Sequence, residues 1–145
     1  PLFKAIVEAR ETYAFDPSMS YDEAYRLWCE LPQVTYVAKH DGEILGSYYL
    51  KPNASGPGSH ICNCGYMVAP QARGKGVATQ LCQHSQLIAL ELGYLAMQFN
   101  SVVSSNTAAV NLWKRLDYQI IGTIPAGYRH KQLGLVDCFI MHKTL

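Results

Sequence analysis

The sequence has 145 residues, the size of one ordinary domain with a single hydrophobic core. Hydrophobic residues make up 49% of it and charged residues 16%, which is typical of a globular chain and excludes a largely disordered one. Twelve Lys and Arg against eleven Asp and Glu leave a net charge of +1, too balanced to indicate a nucleic-acid or membrane surface, so we expect a small-molecule partner.

The sequence pattern in the first half of the chain predicts two helices followed by three strands. Ser20, with Glu23 three positions later, has the pattern of a capping box and starts the second helix. Asp41-Gly42, between two β-rich runs, is a strong signal for a tight hairpin turn. The predicted elements are helix 2–11, helix 20–30, hairpin 35–52 and, after a loop rich in Gly, Pro and Ser, strand 60–68.

The second half of the chain alternates between helical and strand patterns. Apolar residues at helical spacing follow Gly76, and Gly93 stands where a C-terminal cap belongs. Ser105 or Asn106 is positioned to cap the next helix. The predicted elements are helix 76–92, the almost entirely apolar strand 94–103, helix 105–117, and strands 118–124 and 136–145 around a Gly-rich loop.

This order of elements predicts a mixed sheet with helices on both faces. We therefore assign the chain to the α/β class, in its mixed α+β form. No repeat, low-complexity tract or interdomain linker interrupts the sequence, so we expect residues 1–145 to form a single domain.

The stretch VAPQARGKGVATQL, residues 68–81, joins the third strand to the third helix. Backbone N–H groups at a helix N-terminus attract anions, and a turn with two glycines beside Arg73 and Lys75 strengthens that attraction. The spacing does not fit a Walker A loop, and a dinucleotide fingerprint needs Gly or Ala where Thr79 stands. The residues alone leave two interpretations open, a phosphate cradle and an ordinary helix start.

Residues 68–81 resemble the acetyl-CoA loop of the GCN5-related N-acetyltransferases (the GNAT superfamily), whose signature is Q/R-x-x-G-x-G/A after a splayed strand. The matching positions are Gln71, Arg73, Gly74, Lys75 and Gly76. Further along, SNTAAVNLWKRLDY is similar to the family's N-x-x-A-x-x-x-Y-x-x-x-G-F segment, with Asn106 and Ala109 in place. The resemblance covers residues 35–145 and implies an N-acetyltransferase domain.

The resemblance implies a sheet with splayed middle strands and acetyl-CoA as co-substrate, without a metal. The pyrophosphate is expected on the backbone N–H groups of residues 73–78, and the pantetheine arm beside the third strand. The implied cofactor-binding residues are Met67, Val68, Arg73, Gly74, Lys75, Gly76, Val77, Ala78, Asn106, Ala109 and Trp113. The family's first strand precedes its first helix, so we expect that strand to lie upstream of Pro1, outside this chain.

In the family an amine attacks the thioester directly, which implies catalytic roles for a backbone N–H near Val68 and for Asn63. The stretches YYLKPNASGPGSHICNCGYMV and MQFNSVVSSN look like a narrower branch, which includes the fungal acetyltransferases of azetidine-2-carboxylate, a proline analogue. That likeness implies that Asn63 and Asn100 bind the substrate. Buried Asn residues also find hydrogen-bond partners for purely structural reasons, so this second interpretation stays open.

Trp113 stands where the family usually has a Tyr that protonates the departing thiolate. An indole cannot act as that acid, and a free thiol has a pKa of about 8.5, so water or another hydroxyl can assist. Tyr66 and Tyr118 are weak candidates for that hydroxyl. A simple core role for Trp113 is the alternative.

A metal site or a cysteine nucleophile is disfavoured. His60, Cys62 and Cys64 alternate and should share one strand face, but three neighbours on one strand do not converge tetrahedrally. Cys82 has His84 two positions on, which faces away on a helix. We expect the cysteines to pack as small hydrophobes.

The expected acceptor is a small amino acid or analogue and not a polyamine, because no acidic residue lies between Glu43 and Glu91. A wall of acidic residues from the N-terminal helices would reverse that preference: Glu8, Glu11, Asp16, Asp22, Glu23 and Glu30. A protein N-terminal acetyltransferase and a noncatalytic acyl-CoA-binding regulatory domain are the rival functions. The odd cysteine count and the lack of a membrane-length apolar run predict a soluble, cytoplasmic protein without nucleic-acid or membrane partners, and a homodimer is left open.

Overall fold

The computed structural model describes all 145 residues, and their elements follow the predicted order. The helices are α1 (Leu2–Ala9), α2 (Tyr21–Tyr25, continued by a π-helical turn at Arg26–Glu30), α3 (Val77–Glu91) and α4 (Thr107–Arg115). The strands are β1 (Val34–His40), β2 (Glu43–Pro52), β3 (Ile61–Val68), β4 (Ala96–Val103), β5 (Gln119–His130) and β6 (Gly134–Thr144). None of the helices combines the length and the apolar character needed to cross a membrane.

The six strands form one mixed sheet in the order β1-β2-β3-β4-β6-β5. Neighbouring strands are antiparallel except β3 and β4, which are parallel. These two pair only between Ile61–Asn63 and Ala96–Gln98, and they separate beyond that point. The predicted splay of the middle strands is therefore confirmed. The expected strand before the first helix stays a prediction, because α1 is the first element described.

Local sequence signals place several element ends where they were predicted. Ser20 Oγ accepts a hydrogen bond from the Glu23 backbone N–H, and the Glu23 carboxylate accepts one from the Ser20 N–H, which completes the capping box. Asp41 and Gly42 both have positive φ, 48° and 82°, as a tight hairpin turn requires. Of the two candidate caps of α4, the structure selects Asn106, whose side chain accepts from the Ala109 N–H.

The last two strands differ from the prediction. The Gly-rich segment is not one long loop, because β5 runs on to His130 and only residues 131–133 separate it from β6. A bulge between Ile124 and Tyr128 absorbs the Pro and Gly residues of this segment, and the Asp137 carboxylate accepts a hydrogen bond from the Ala126 N–H there. Since β5 is an edge strand, it tolerates the missing ladder bonds.

Helices cover both faces of the sheet, as predicted. On one face the main core joins β2, β3 and β4 to α3 and α4 through residues such as Tyr48, Leu50, Cys62, Leu81, Met97, Val110 and Trp113. On the other face α1 and the π-helical turn pack against β3 through Ile6, Val7, Trp28 and Met67. Trp28 also donates from its indole nitrogen to Ser47 of β2 at 2.9 Å. Together these two cores pack against both faces of β3, including the part beyond Asn63 where β4 no longer pairs with it.

Candidate active site

The separation of β3 from β4 opens a cleft of about 900 Å³ in the middle of the sheet. The diverging strands line it with residues 63–68 and 99–103, and the turn before α3, one side of α4 and the segment 11–15 complete its walls. All the site residues predicted from the sequence line this cleft except Lys75, which lies exposed in the adjoining turn. The fold therefore gathers residues that are up to 50 positions apart in sequence, from Asn63 to Trp113.

The main chain of β3 offers free hydrogen-bonding groups to the cleft. The Ala69 N–H donates to the Leu45 carbonyl, so in the β2–β3 register every second residue of β3 bonds to β2. The remaining residues, among them Tyr66 and Val68, point their N–H and C=O groups away from β2 and into the split. Tyr13 already uses one of these groups, because its hydroxyl donates to the Tyr66 carbonyl at 2.8 Å.

The turn before α3 has the backbone of an anion-binding nest. Gly74 and Gly76 have φ angles of 73° and 78°, left-handed values that other residues rarely adopt. Gly76 caps α3 without any side-chain hydrogen bond, so the first N–H groups of a 15-residue helix stay unpaired. Arg73 and Lys75 beside them are exposed and form no ion pair.

An aromatic cluster lines another part of the cleft. Trp113 is 7% exposed and packs against Tyr66 and Phe99, with ring centroids 5.0 and 5.1 Å apart. The Tyr66 hydroxyl is hydrogen-bonded to Ser85 of α3, and the Tyr118 hydroxyl donates to the Met97 sulfur. Burial raises the pKa of both tyrosines. Both hydroxyls thus have partners inside the core, an arrangement that does not favour a role for either one in assisting the departing thiolate.

The two predicted substrate residues flank the start of the split. Asn63 is 6% exposed; its oxygen accepts from the Tyr49 hydroxyl at 3.0 Å and its nitrogen donates to the Gln98 carbonyl at 3.0 Å. Asn100 donates to the Asn53 side chain at 2.7 Å and accepts from Gln98. Each carboxamide keeps one N–H and one lone pair for a ligand. The structural interpretation and the substrate interpretation are therefore compatible at both positions.

The sequence reasoning missed several polar cleft residues, among them Tyr13, Tyr49, Lys51 and Ser105. Lys51 and Tyr49 could have been found, because the hairpin register and period-two alternation place them on the same sheet face as Asn63. Tyr13 lies between two helices and reaches the cleft by a long-range contact that no local pattern signals. The Ser105 hydroxyl oxygen is buried and has no hydrogen-bond partner in the protein.

The charge in the cleft is mostly positive. Glu11 is the only carboxylate that lines it, so the acidic residues of the N-terminal segment contribute a single residue to the cleft wall. In contrast, the side chains of Lys51, Arg73 and Arg115 line it. Such a surface favours anionic groups of a ligand over a polycation.

The cysteines and histidines form no second site. All five cysteines are free, and four are buried as expected, whereas Cys29 is exposed. His60 lies just before β3, so it does not share the strand face of Cys62 and Cys64 as predicted, and it contacts the Pro57 carbonyl instead. No group of three or more His, Cys, Asp or Glu side chains is arranged to hold a metal ion.

Comparison with known proteins agrees with this geometry. Residues 3–118 match the model of the acetyltransferase (GNAT) family. The chain therefore belongs to the GNAT family of acetyltransferases, and the resemblance drawn from its two motifs is confirmed.

Three individual proteins illustrate the similarity. The chain is 38% identical over 98 residues to N-acetyltransferase aca1 of Schizosaccharomyces pombe; the match covers 67% of this chain and 47% of that protein, so the chain spans about half of that relative's length. A GCN5-related N-acetyltransferase from Kribbella flavida superimposes with a TM-score of 0.94 and 44% identity, over 100% of this chain and 89% of that one. The yncA protein from Salmonella typhimurium, solved with its cofactor acetyl-CoA, shares the fold at 19% identity, with a TM-score of 0.81 over 99% and 84% of the two chains.

Proposed function

We propose that this domain transfers an acetyl group from acetyl-CoA directly to the amine of a small molecule, an amino acid or an analogue of one. One observation supports this most strongly: the split between β3 and β4 and the nest before α3 open into the same cleft. A thioester-bearing arm that lies in the split has its phosphates at the helix N-terminus. An amine acceptor then enters from the side of Asn63 and Asn100.

The cleft fits an extended coenzyme. Its pyrophosphate lies on the N–H groups of Arg73 to Ala78, where a Cβ on Gly74 or Gly76 would meet no protein atom within 4 Å. The pantetheine arm follows Met67 and Val68 like an added strand and takes the free main-chain groups of β3. The residues of α4 on this side are Asn106, Ala109 and Trp113. The unpaired Ser105 hydroxyl gives an independent sign of a ligand, because a buried hydroxyl ordinarily has a partner.

The chemistry is a direct displacement. The amine nitrogen bonds to the thioester carbon, the carbon–sulfur bond breaks, and the proton lost by the amine balances the one gained by the coenzyme A thiol. The N–H of Val68 points into the split and stabilises the negative charge that develops on the carbonyl oxygen. An acyl-enzyme on Cys64 is disfavoured, since burial raises the pKa of its thiol well above the usual value.

The acceptor is a small amino acid held by the carboxamides of Asn63 and Asn100. Asn63 is also the residue closest to the reacting amine in this proposal, and it carries no charge that would keep the amine protonated. With Glu11 as the one carboxylate of the cleft, a polyamine lacks counter-charges for its several ammonium groups. Burial raises the pKa of Tyr49 to about 12, so its hydroxyl stays protonated and fixes the orientation of the Asn63 oxygen.

Steady-state kinetics of three alanine variants test this proposal. Asn63→Ala and Asn100→Ala should each raise the KM for small amino acids or lower turnover by about tenfold or more, while acetyl-CoA affinity stays near that of the wild type. Asn111→Ala is the matched control, because Asn111 is exposed on α4 outside the cleft. Strong wild-type activity on spermidine, with none on any amino acid, would contradict the proposed acceptor.

A further inference from the structure

A polar row crosses three strands at the acceptor end of the cleft. Lys51 of β2 lies directly opposite Asn63 of β3, and Asn63 is in turn paired with Gln98 of β4. Directly paired residues of neighbouring strands point their side chains to the same face of a sheet. The Lys51 side chain is therefore a neighbour of the Asn63 carboxamide, and both line the cleft.

The ammonium group of Lys51 has no carboxylate partner in the protein. The only close contacts between basic and acidic side chains are Lys4 with Glu8 and His40 with Asp41, and neither involves Lys51. The Lys51 nitrogen lies 5.4 Å from the centroid of the Tyr49 ring, a cation–π distance. The same Tyr49 donates its hydroxyl to Asn63, so one aromatic ring orients both the cation and the amide.

The other basic side chains of the cleft lie in other parts of the fold. Arg73 belongs to the nest before α3, and Arg115 is the last residue of α4, two positions after Trp113. Lys51 alone among them projects from β2, next to the residue that the proposed function places at the acceptor amine. A free ammonium beside a neutral carboxamide is suited to a ligand with one carboxylate and one amine.

We propose that Lys51 binds the carboxylate of the acceptor and makes the enzyme select amino acids over their carboxamides and over simple amines. This inference rests on the proposed function and deepens it, because it names the group that distinguishes the substrate class. The carboxylate takes the Lys51 ammonium together with a free N–H of the Asn pair. The acceptor amine is left to face the remaining Asn oxygen and the thioester.

Kinetics with paired acceptors test this role. Azetidine-2-carboxylate, proline and alanine are each assayed beside their own carboxamides, with wild type, Lys51→Met and Lys51→Arg. Lys51→Met should raise the KM for the acids by about tenfold to a hundredfold and leave the KM for the carboxamides and the Kd for acetyl-CoA unchanged. Lys51→Arg should retain most of the preference for the acid. Lys39→Met, which removes an exposed charge from β1 outside the cleft, is the control.

Two negative results have different meanings. If the wild type acetylates neither the amino acids nor their carboxamides, the proposed acceptor class is wrong, and this inference is wrong with it. If the wild type prefers the acids and folded Lys51→Met keeps that preference, only the role of Lys51 is refuted. Thermal unfolding of each variant verifies that it is folded. We expect Lys51→Met to fold, because the residue is exposed and Met has a side chain of similar length.

Discussion

Replacing Gly74 by Asp tests the anion site while separating charge from backbone strain. Gly74 has a φ of 73°, and a Cβ there would meet no protein atom within 4 Å, so a new side chain projects into open space. Gly74→Asn is the matched control, since Asn has nearly the same size and also tolerates the left-handed conformation. Gly42→Asp is the second control, because Gly42 has a φ of 82°, equally open surroundings and a position in the β1–β2 turn.

The two effects have different sizes. A non-Gly residue in the left-handed region costs about 1–2 kcal/mol, which all three variants share and which lowers Tm by roughly 2–8 °C in a domain of this size. A carboxylate about 4 Å from a phosphate oxygen adds about 4 kcal/mol of repulsion at an effective dielectric constant of 20, and solvent screening leaves about half of it. A penalty of about 2 kcal/mol corresponds to a Kd roughly 30-fold weaker.

Calorimetric titration with acetyl-CoA measures these differences. Gly74→Asp should bind at least about 30-fold more weakly than Gly74→Asn, and Gly42→Asp should bind like the wild type. Because the difference is electrostatic, it should shrink when the salt concentration is raised. Affinities of Gly74→Asp and Gly74→Asn within about threefold of each other at low salt would refute the placement of the pyrophosphate at this turn.

Three further outcomes follow from the buried groups. Trp113→Phe should lower the free energy of unfolding by about 1–3 kcal/mol through lost packing. Its turnover should fall by less than about tenfold. A drop in turnover of a hundredfold or more in a folded variant would show that the indole takes part in the chemistry. Ser105→Ala should weaken acetyl-CoA binding by about threefold to tenfold without lowering stability, because the Ser105 hydroxyl has no partner in the protein; a clear stability loss in thermal unfolding would contradict this. Burial raises the pKa of both Cys62 and Tyr49 to about 12. In the folded state both side chains therefore stay protonated at pH values at which they already ionise in the unfolded chain. The contribution of Cys62 to stability should therefore be complete below about pH 9 and that of Tyr49 below about pH 10, and each should be lost by up to about 1.4 kcal/mol per pH unit from there to about pH 12. Denaturant melts that show no loss over these windows would refute this.

Much of the fold was predictable because its signals are local. The capping box at Ser20 and Glu23 and the Asp41-Gly42 turn each act over a few residues, and each forms as predicted. The long β5 was not predictable in the same way. Its course past Pro125 depends on a bulge and on its edge position, which are properties of the assembled sheet.

The candidate site, too, was predictable only where its sequence signals are local. The nest was visible as two glycines before a helical pattern, since a left-handed backbone restricts the residue type itself. The cleft residue Tyr13 was not, because a Tyr between two helices gives no local signal and reaches the split only through a long-range contact. The Tyr66 and Tyr118 hydroxyls show the converse, since their commitment to Ser85 and Met97 follows only from packing.

The release of coenzyme A thiol from acetyl-CoA, followed across a panel of amines, tests the central claim most directly. The panel contains small amino acids, peptides with free N-termini, and spermidine. We expect saturable thiol release with small amino acids, together with formation of the N-acetyl product, and little release with spermidine. Release with peptides alone would indicate a protein N-terminal acetyltransferase, and the absence of release with every amine, despite measurable acetyl-CoA binding, would show a noncatalytic domain and contradict the proposed function.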